Sequence, residues 1–180
     1  MRSIYRPPWR VDVTIRAGVR PPVGAAGLAR TIARALDAAG APAPASIGLI
    51  LADDRELATL NAAHLGHDGP TDVLSFPLLA ATAFPIHAGE PAHRRLGALA
   101  PPFPLPPGRR PHLGDIVVSV ERAVDQALQG RGGHTGDVRW SPADEVRLLV
   151  THGTLHVCGW DHAEPAEESA MRALERRLLG

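Results

Sequence analysis

The order of apolar and polar positions along the chain predicts strands and helices in succession. Val11, Val13 and Ile15 alternate with polar neighbours between Trp9 and Arg16, the period of a strand with one buried face. After the Pro21-Pro22 turn, Leu28, Ile32, Ala35, Leu36 and Ala39 recur at helical spacing, and Gly40 offers a C-terminal stop. Ile47 to Leu51 is a short apolar run suited to a buried strand. Asp53, with Glu56 three positions on, makes a capping-box pattern that opens a second helix carrying Leu57, Leu60 and Asn61. Asp72 to Phe76 and Asp115 to Ser119 read as two further strands, the second leading into a helix with Val120, Val124 and Leu128 on one face. Ser141 as N-cap, Pro142 at the first helical position and Asp144 at the third start a helix that should run to Gly159. A last amphipathic helix begins near Pro165 and places Met171, Leu174 and Leu178 together. No internal repeat is visible. The expected fold is one α+β domain over residues 1–180, a small mixed β-sheet packed among α-helices.

Two stretches interrupt this pattern. Pro77 to Leu113 contains prolines at 85, 91, 101, 102, 104, 106, 107 and 111, which exclude regular structure from most of it. A surface loop of this length is either a functional lid or a disordered insertion, and its composition favours disorder. Gly130 to Trp140 carries four glycines and is expected to be flexible as well.

Composition removes some functions from consideration. Nineteen cationic residues, all arginine, balance nineteen acidic ones, so no global basic field marks a nucleic-acid binder and any such contact must be local. No apolar run approaches the roughly 20 residues of a membrane-spanning helix, and Met1 to Arg10 lacks the apolar core of a signal peptide. A cytoplasmic protein with no membrane partner is expected. The single cysteine, Cys158, cannot form an internal disulfide and reads as core packing.

The candidate chemistry lies near the C-terminus. His152 and His156 are four residues apart on the predicted helix, so both imidazoles share one face. Gly159 ends the helix, and the chain can return through Trp160 and Asp161 to bring His162 over the same point. Three imidazoles and one open position are the donor set of a catalytic zinc at the end of this central helix, although nickel or iron(II) would accept the same ligands. The spacing resembles the H-x-x-x-H-x-x-G-x-x-H segment of metzincin proteases. Their general base follows the first histidine, where this chain has Gly153, so peptide hydrolysis by that route is not expected. Asp161 could orient a ligand histidine, act on water in the open position, or only bond nearby backbone in a turn.

Taken with its flanks, Thr151 to His162 (THGTLHVCGWDH) resembles the H-G-x-L-H-L-x-G-[YW]-D-H signature of the YbeY family of metal-dependent endoribonucleases. Pro70 to Pro77 (PTDVLSFP) and Leu113 to Ser119 (LGDIVVS) are similar to two more of its blocks, in the same order, and Leu60-Asn61, Met171 and Glu175 also fit. The resemblance implies an α+β fold and one Zn2+ held by His152, His156 and His162. It implies cleavage of single-stranded RNA, with ribosomal RNA precursors and the small ribosomal subunit as partners, and a role in ribosome quality control. It places Asp72 and Ser75, with Thr71, near the metal cleft as RNA-contacting candidates.

Two departures stand out. His64, Leu65, Gly66, His67 and Asp68 replace the family's Y-R-x-K-D, so leucine stands in place of an arginine suited to gripping phosphate. The loop from Pro77 to Leu113 is longer than usual, and its Arg94, Arg95, Arg109 and Arg110 are the substitute cations, with His67 a weaker one. The rival reading is a ribosome-assembly or RNA-binding factor with a mainly structural zinc and little nuclease activity.

Overall fold

The computed structural model describes residues 1–95, 110–130 and 141–180. Its strands form one five-stranded mixed sheet of order β1-β2-β3-β5-β4. β1 (Arg2–Arg6) and β2 (Trp9–Ile15) make an antiparallel hairpin, with Ile4 opposite Val11. β3 (Ser46–Ala52) lies parallel to β2 and to β5 (His112–Ser119), and β4 (Val73–Pro77) closes the other edge antiparallel to β5. Parallel pairing demands a crossover connection, which the helical pattern between the strands supplies. α1 (Ala25–Ala38) carries the chain from β2 to β3, and α2 (Asp54–Leu65) follows β3. α3 (Val120–Leu128), α4 (Pro142–Val157) and α5 (Pro165–Leu179) complete the domain. The α+β class and the small mixed sheet among helices are as the pattern predicts.

The helix signals act as their chemistry requires. The Asp53 carboxylate accepts the Glu56 N–H (2.9 Å), and Ser141 Oγ accepts the Asp144 N–H (3.2 Å) at the start of α4. Gly40 sits just past α1 at φ +64°, where a Cβ would lie 2.9 Å from Pro85 Cγ, so both conformation and space select glycine. α4 is the central helix. It packs on β4 and β5 and against α1, α3 and α5, burying Val146, Leu149, Val150, Leu155 and Val157. No helix among the described residues is long and apolar enough to cross a membrane.

Four features differ from expectation. β1 was not anticipated, because only Ile4 of this edge strand packs on the core and no alternation is left to read. β5 starts three residues earlier than Asp115, since pairing of His112 with Ser46 extends the ladder. In α3 the buried face is Val120, Ala123 and Ala127, while Leu128 is 74% exposed; small alanines let α3 approach α4, and the leucine is rotated outward. The expected disorder of the proline-rich loop does not hold for its first half. Residues 78–95 are seated, with a short helical turn at Ala81–Ala83 and Phe84 in the core at 4% exposure. The remainder of that loop and the glycine-rich stretch lie at residues 96–109 and 131–140, outside the described residues.

Candidate metal centre

The end of α4 gathers the three histidines. His152 and His156 are one turn apart, and the helix stops at Cys158 and Gly159, whose φ of +87° is a left-handed turn that favours glycine. The Trp160 N–H closes the turn on Leu155 O (3.1 Å), and the chain folds back to place His162 beside the pair. The three ring centroids lie 4.5, 5.0 and 5.6 Å apart, and one nitrogen from each ring falls within 4.8 Å of the others.

Hydrogen bonds decide which nitrogens face inward. His152 Nδ1–H donates to Glu175 Oε1 (2.7 Å), and His156 Nδ1–H donates to Trp160 O (2.9 Å). Each Nε2 is then left with a lone pair, and the two Nε2 atoms are only 3.0 Å apart. Two lone pairs so close repel unless a proton or a metal ion lies between them. A tetrahedral zinc, with Zn–N near 2.0–2.1 Å, would separate its nitrogens by roughly 3.3 Å, so the donor set fits such an ion. Burial first, then the neighbouring His152 and His162, lowers the His156 imidazole to about 4, which keeps it in the neutral, ligating form. His162 is exposed, so the cluster is open to solvent on that side.

Around this cluster lies a set of acids on α5. Glu175, 4% exposed, orients His152 in the carboxylate–histidine arrangement that fixes ring and tautomer. Glu167 is wholly buried and accepts the Asp161 N–H (2.9 Å). Sequence reading did not assign Glu167 at all, and gave Glu175 only as a family match. A signal was present: both acids fall on the stripe of Met171 and Leu174, where a carboxylate is costly unless it has a partner.

The remaining candidates are spread out. Asp161 accepts the His162 N–H at Oδ1 (2.8 Å) and Arg94 at Oδ2 (3.3 Å), so both oxygens hold the returning loop. Ser75 donates to Gly153 O (3.1 Å), placing it against the helix turn that carries His152. Gly153 explains why no glutamate occupies that position, because a Cβ there would come within 2.7 Å of Ile116 Cγ2 on β5. Asp72 bonds the Val73 N–H (2.9 Å) and Gln126 Nε2 (3.3 Å), tying the start of β4 to α3. Leu65 ends α2 at 57% exposure, and His64 next to it touches the Phe76 ring of β4 at 5.1 Å. Arg110 donates to Pro8 O (2.6 Å) at the β1–β2 turn, across the sheet from β4. Arg94 is engaged by Glu167 and Asp161, while Arg109 and the Arg95 side chain lie outside the described residues. Cys158 is 1% exposed, and burial pushes its thiol up to about 12, as a core residue requires. A cleft of about 810 Å³ lies elsewhere, between α1, α4 and α5, and is lined by Arg30, Arg34, Arg147 and Arg176 rather than by the histidines.

The fold is an α+β domain whose central helix ends, among the described residues, in three converging imidazoles that could hold one metal ion. The profile of the family described as Endoribonuclease YbeY matches residues 24–180. Relatives named Endoribonuclease YbeY include one from Salinispora tropica, 42% identical over 146 residues, covering 81% of this chain and 79% of the relative. Another, from Thermobifida fusca, is 36% identical over 172 residues, covering 94% and 91%. A solution structure of a Thermotoga maritima protein shares the fold at a TM-score of 0.50 and 18% identity, covering 94% of this chain and 86% of that one. The chain belongs to the YbeY family.

Proposed function

We propose that this protein is a zinc-dependent endoribonuclease that cleaves single-stranded RNA in the cytoplasm during maturation of ribosomal RNA, with a part in ribosome quality control. The observation that carries the reading is the pair of Nε2 lone pairs 3.0 Å apart beside an exposed third imidazole. Family membership and the endoribonuclease names of the relatives support the nuclease reaction. When bound, the zinc ion lowers the pKa of water toward neutrality and offsets charge on a phosphoryl oxygen.

The chain's own part is to hold and to expose. Glu175 and the Trp160 carbonyl lock two imidazoles in the ligating tautomer, and Asp161 steadies the segment that carries the third. The exposed side at His162 is the approach for substrate. Asp72, Ser75, Arg109 and Arg110 are the residues proposed to meet RNA; Ser75 bonds Gly153 O on the histidine helix, and Arg110 would act from the β1–β2 turn, where it bonds Pro8 O. The ribosomal RNA precursor, presented with the small subunit, is the proposed partner.

An RNA-cleavage assay with a chelator control tests the reading. Purified protein should carry close to one equivalent of zinc, cut a single-stranded ribosomal fragment, lose activity on chelation and regain it with added zinc. The assembly-factor reading, favoured by Leu65 in place of an arginine, predicts zinc and RNA binding with no cleavage above the chelated control.

A further inference from the structure

The geometry points to residues 78–95 as a strap that sets the position of the third imidazole, with Arg94 as the positioning residue for His162. The inference rests on the metal-site reading above. His152 and His156 are carried by the regular backbone of α4, but His162 lies on the irregular link between α4 and α5. Its ring makes no hydrogen bond among the described residues. Something other than the helix must therefore hold it over the pair.

The strap is keyed to that link along its length. Ala81 lies under the helix-ending Gly159, where an added Cβ would stand 3.2 Å from the Ala81 Cβ. The His87 ring stacks on Trp160, with centroids 4.1 Å apart and planes 11° from parallel. Gly89, at φ +78°, crosses the first turn of α5 so closely that a Cβ would fall 2.6 Å from the Ala166 carbonyl and the Glu167 nitrogen. Only glycine suits both that conformation and that approach.

Arg94 completes the connection. One guanidinium nitrogen bonds Gly159 O (3.2 Å) and Glu167 Oε1, and the other bonds Glu167 Oε2 (2.7 Å) and Asp161 Oδ2 (3.3 Å). Glu167 in turn takes the Asp161 N–H, and Asp161 takes the His162 N–H. A short chain of charge-assisted bonds thus runs from the strap to the ligand's own backbone. The Arg94 fork fits this task because its planar guanidinium grips both Glu167 oxygens while also reaching Gly159 O and Asp161, a bidentate geometry that an ammonium group does not offer. Without it, the buried Glu167 carboxylate would lose its main cationic partner, and the loop beside it would lose its anchor.

Titrating the full-length, metal-free chain with Co2+ and recording its ligand-field absorption tests this role. The parent should bind one equivalent with the spectrum of a three-histidine site. Arg94→Ala should weaken binding about 10- to 100-fold, the usual loss when a ligand's supporting partner is removed, and shift the spectrum toward fewer nitrogen ligands. Arg94→Lys should recover only part of the affinity. Should Arg94→Ala lose its near-ultraviolet circular dichroism, Arg94→Gln, which can still bond Gly159 O, answers the same question with the fold intact. A parent that binds no Co2+ would refute the metal site itself. A parent that binds Co2+ beside a folded Arg94 variant of unchanged affinity and spectrum would overturn the strap, since a role in stability alone would move the melting temperature but not the spectrum.

Discussion

The histidine end of α4 and the polar block from the end of α2 to β4 are built differently, although Ser75 touches the same helix turn as His152. At the histidine end, each candidate ligand is backed by a further hydrogen-bonding group: Glu175 on His152, the Trp160 carbonyl on His156, Glu167 and Asp161 on the His162 loop. In the polar block Asp72 ties the start of β4 to its own strand and to α3, Ser75 bonds the α4 backbone, and Leu65 faces solvent, so no side chain here is seen to back a histidine ring. A metal site needs donors placed to a few tenths of an ångström, and that requires a second layer of bonds. A surface that meets a flexible strand of RNA can use long, exposed side chains instead. Chemistry is therefore over-determined in one region and loosely specified in the other.

The comparison breaks most directly at the ligands. His152→Ala or His156→Ala should abolish stable metal binding and lower RNA cleavage by more than about 100-fold, beyond the range for losing a supporting partner. Elemental analysis after dialysis checks this, and full metal retention in both variants would remove the site.

Acid should act next. In the metal-free chain His156 stays neutral down to about 4, chiefly through burial, whereas an unfolded histidine takes up its proton near 6.5. The unfolded state thus binds more protons between those values, and stability falls as pH drops from 6.5 toward 4. The loss should be on the order of 2–3 kcal/mol. Urea unfolding with chelator present, at about pH 7 and about pH 4.5, measures it. His156→Gln should flatten the dependence.

Glu175→Gln should cost about 10- to 100-fold in zinc affinity, because His152 loses its charged acceptor while keeping all three ligands. Competition with a chromophoric chelator reads this directly. An unchanged affinity would show that the second layer matters less than the contrast between the two regions requires.

The smallest effect belongs to the polar block. Leu65→Arg should leave the melting temperature unchanged, since the side chain is 57% exposed, and raise RNA cleavage roughly fivefold, the equivalent of about 1 kcal/mol from one exposed phosphate contact. Cleavage that stays at the parental level would indicate that this region does not meet the substrate.

Much of the molecule was legible in one dimension, because the signals are local. Capping at Asp53 and Ser141, the apolar runs of β3 and β5 and the i, i+4 histidines each depend on neighbours within a turn or a strand. Three imidazoles converging past a glycine could be read the same way, and the tertiary structure places them as that spacing requires.

What only the tertiary structure decided involves contacts across long sequence separations. β1 exists because β2 offers a pairing edge, not because of its own pattern. Leu128 points outward because α3 must approach α4 through alanines. Arg94, read along the chain as a candidate cation for RNA phosphate, bonds Glu167 seventy-three residues away. A carboxylate in a buried position has to find a partner, but nothing local states which one, because Coulomb attraction and hydrogen bonding act through space and are blind to the order of the chain.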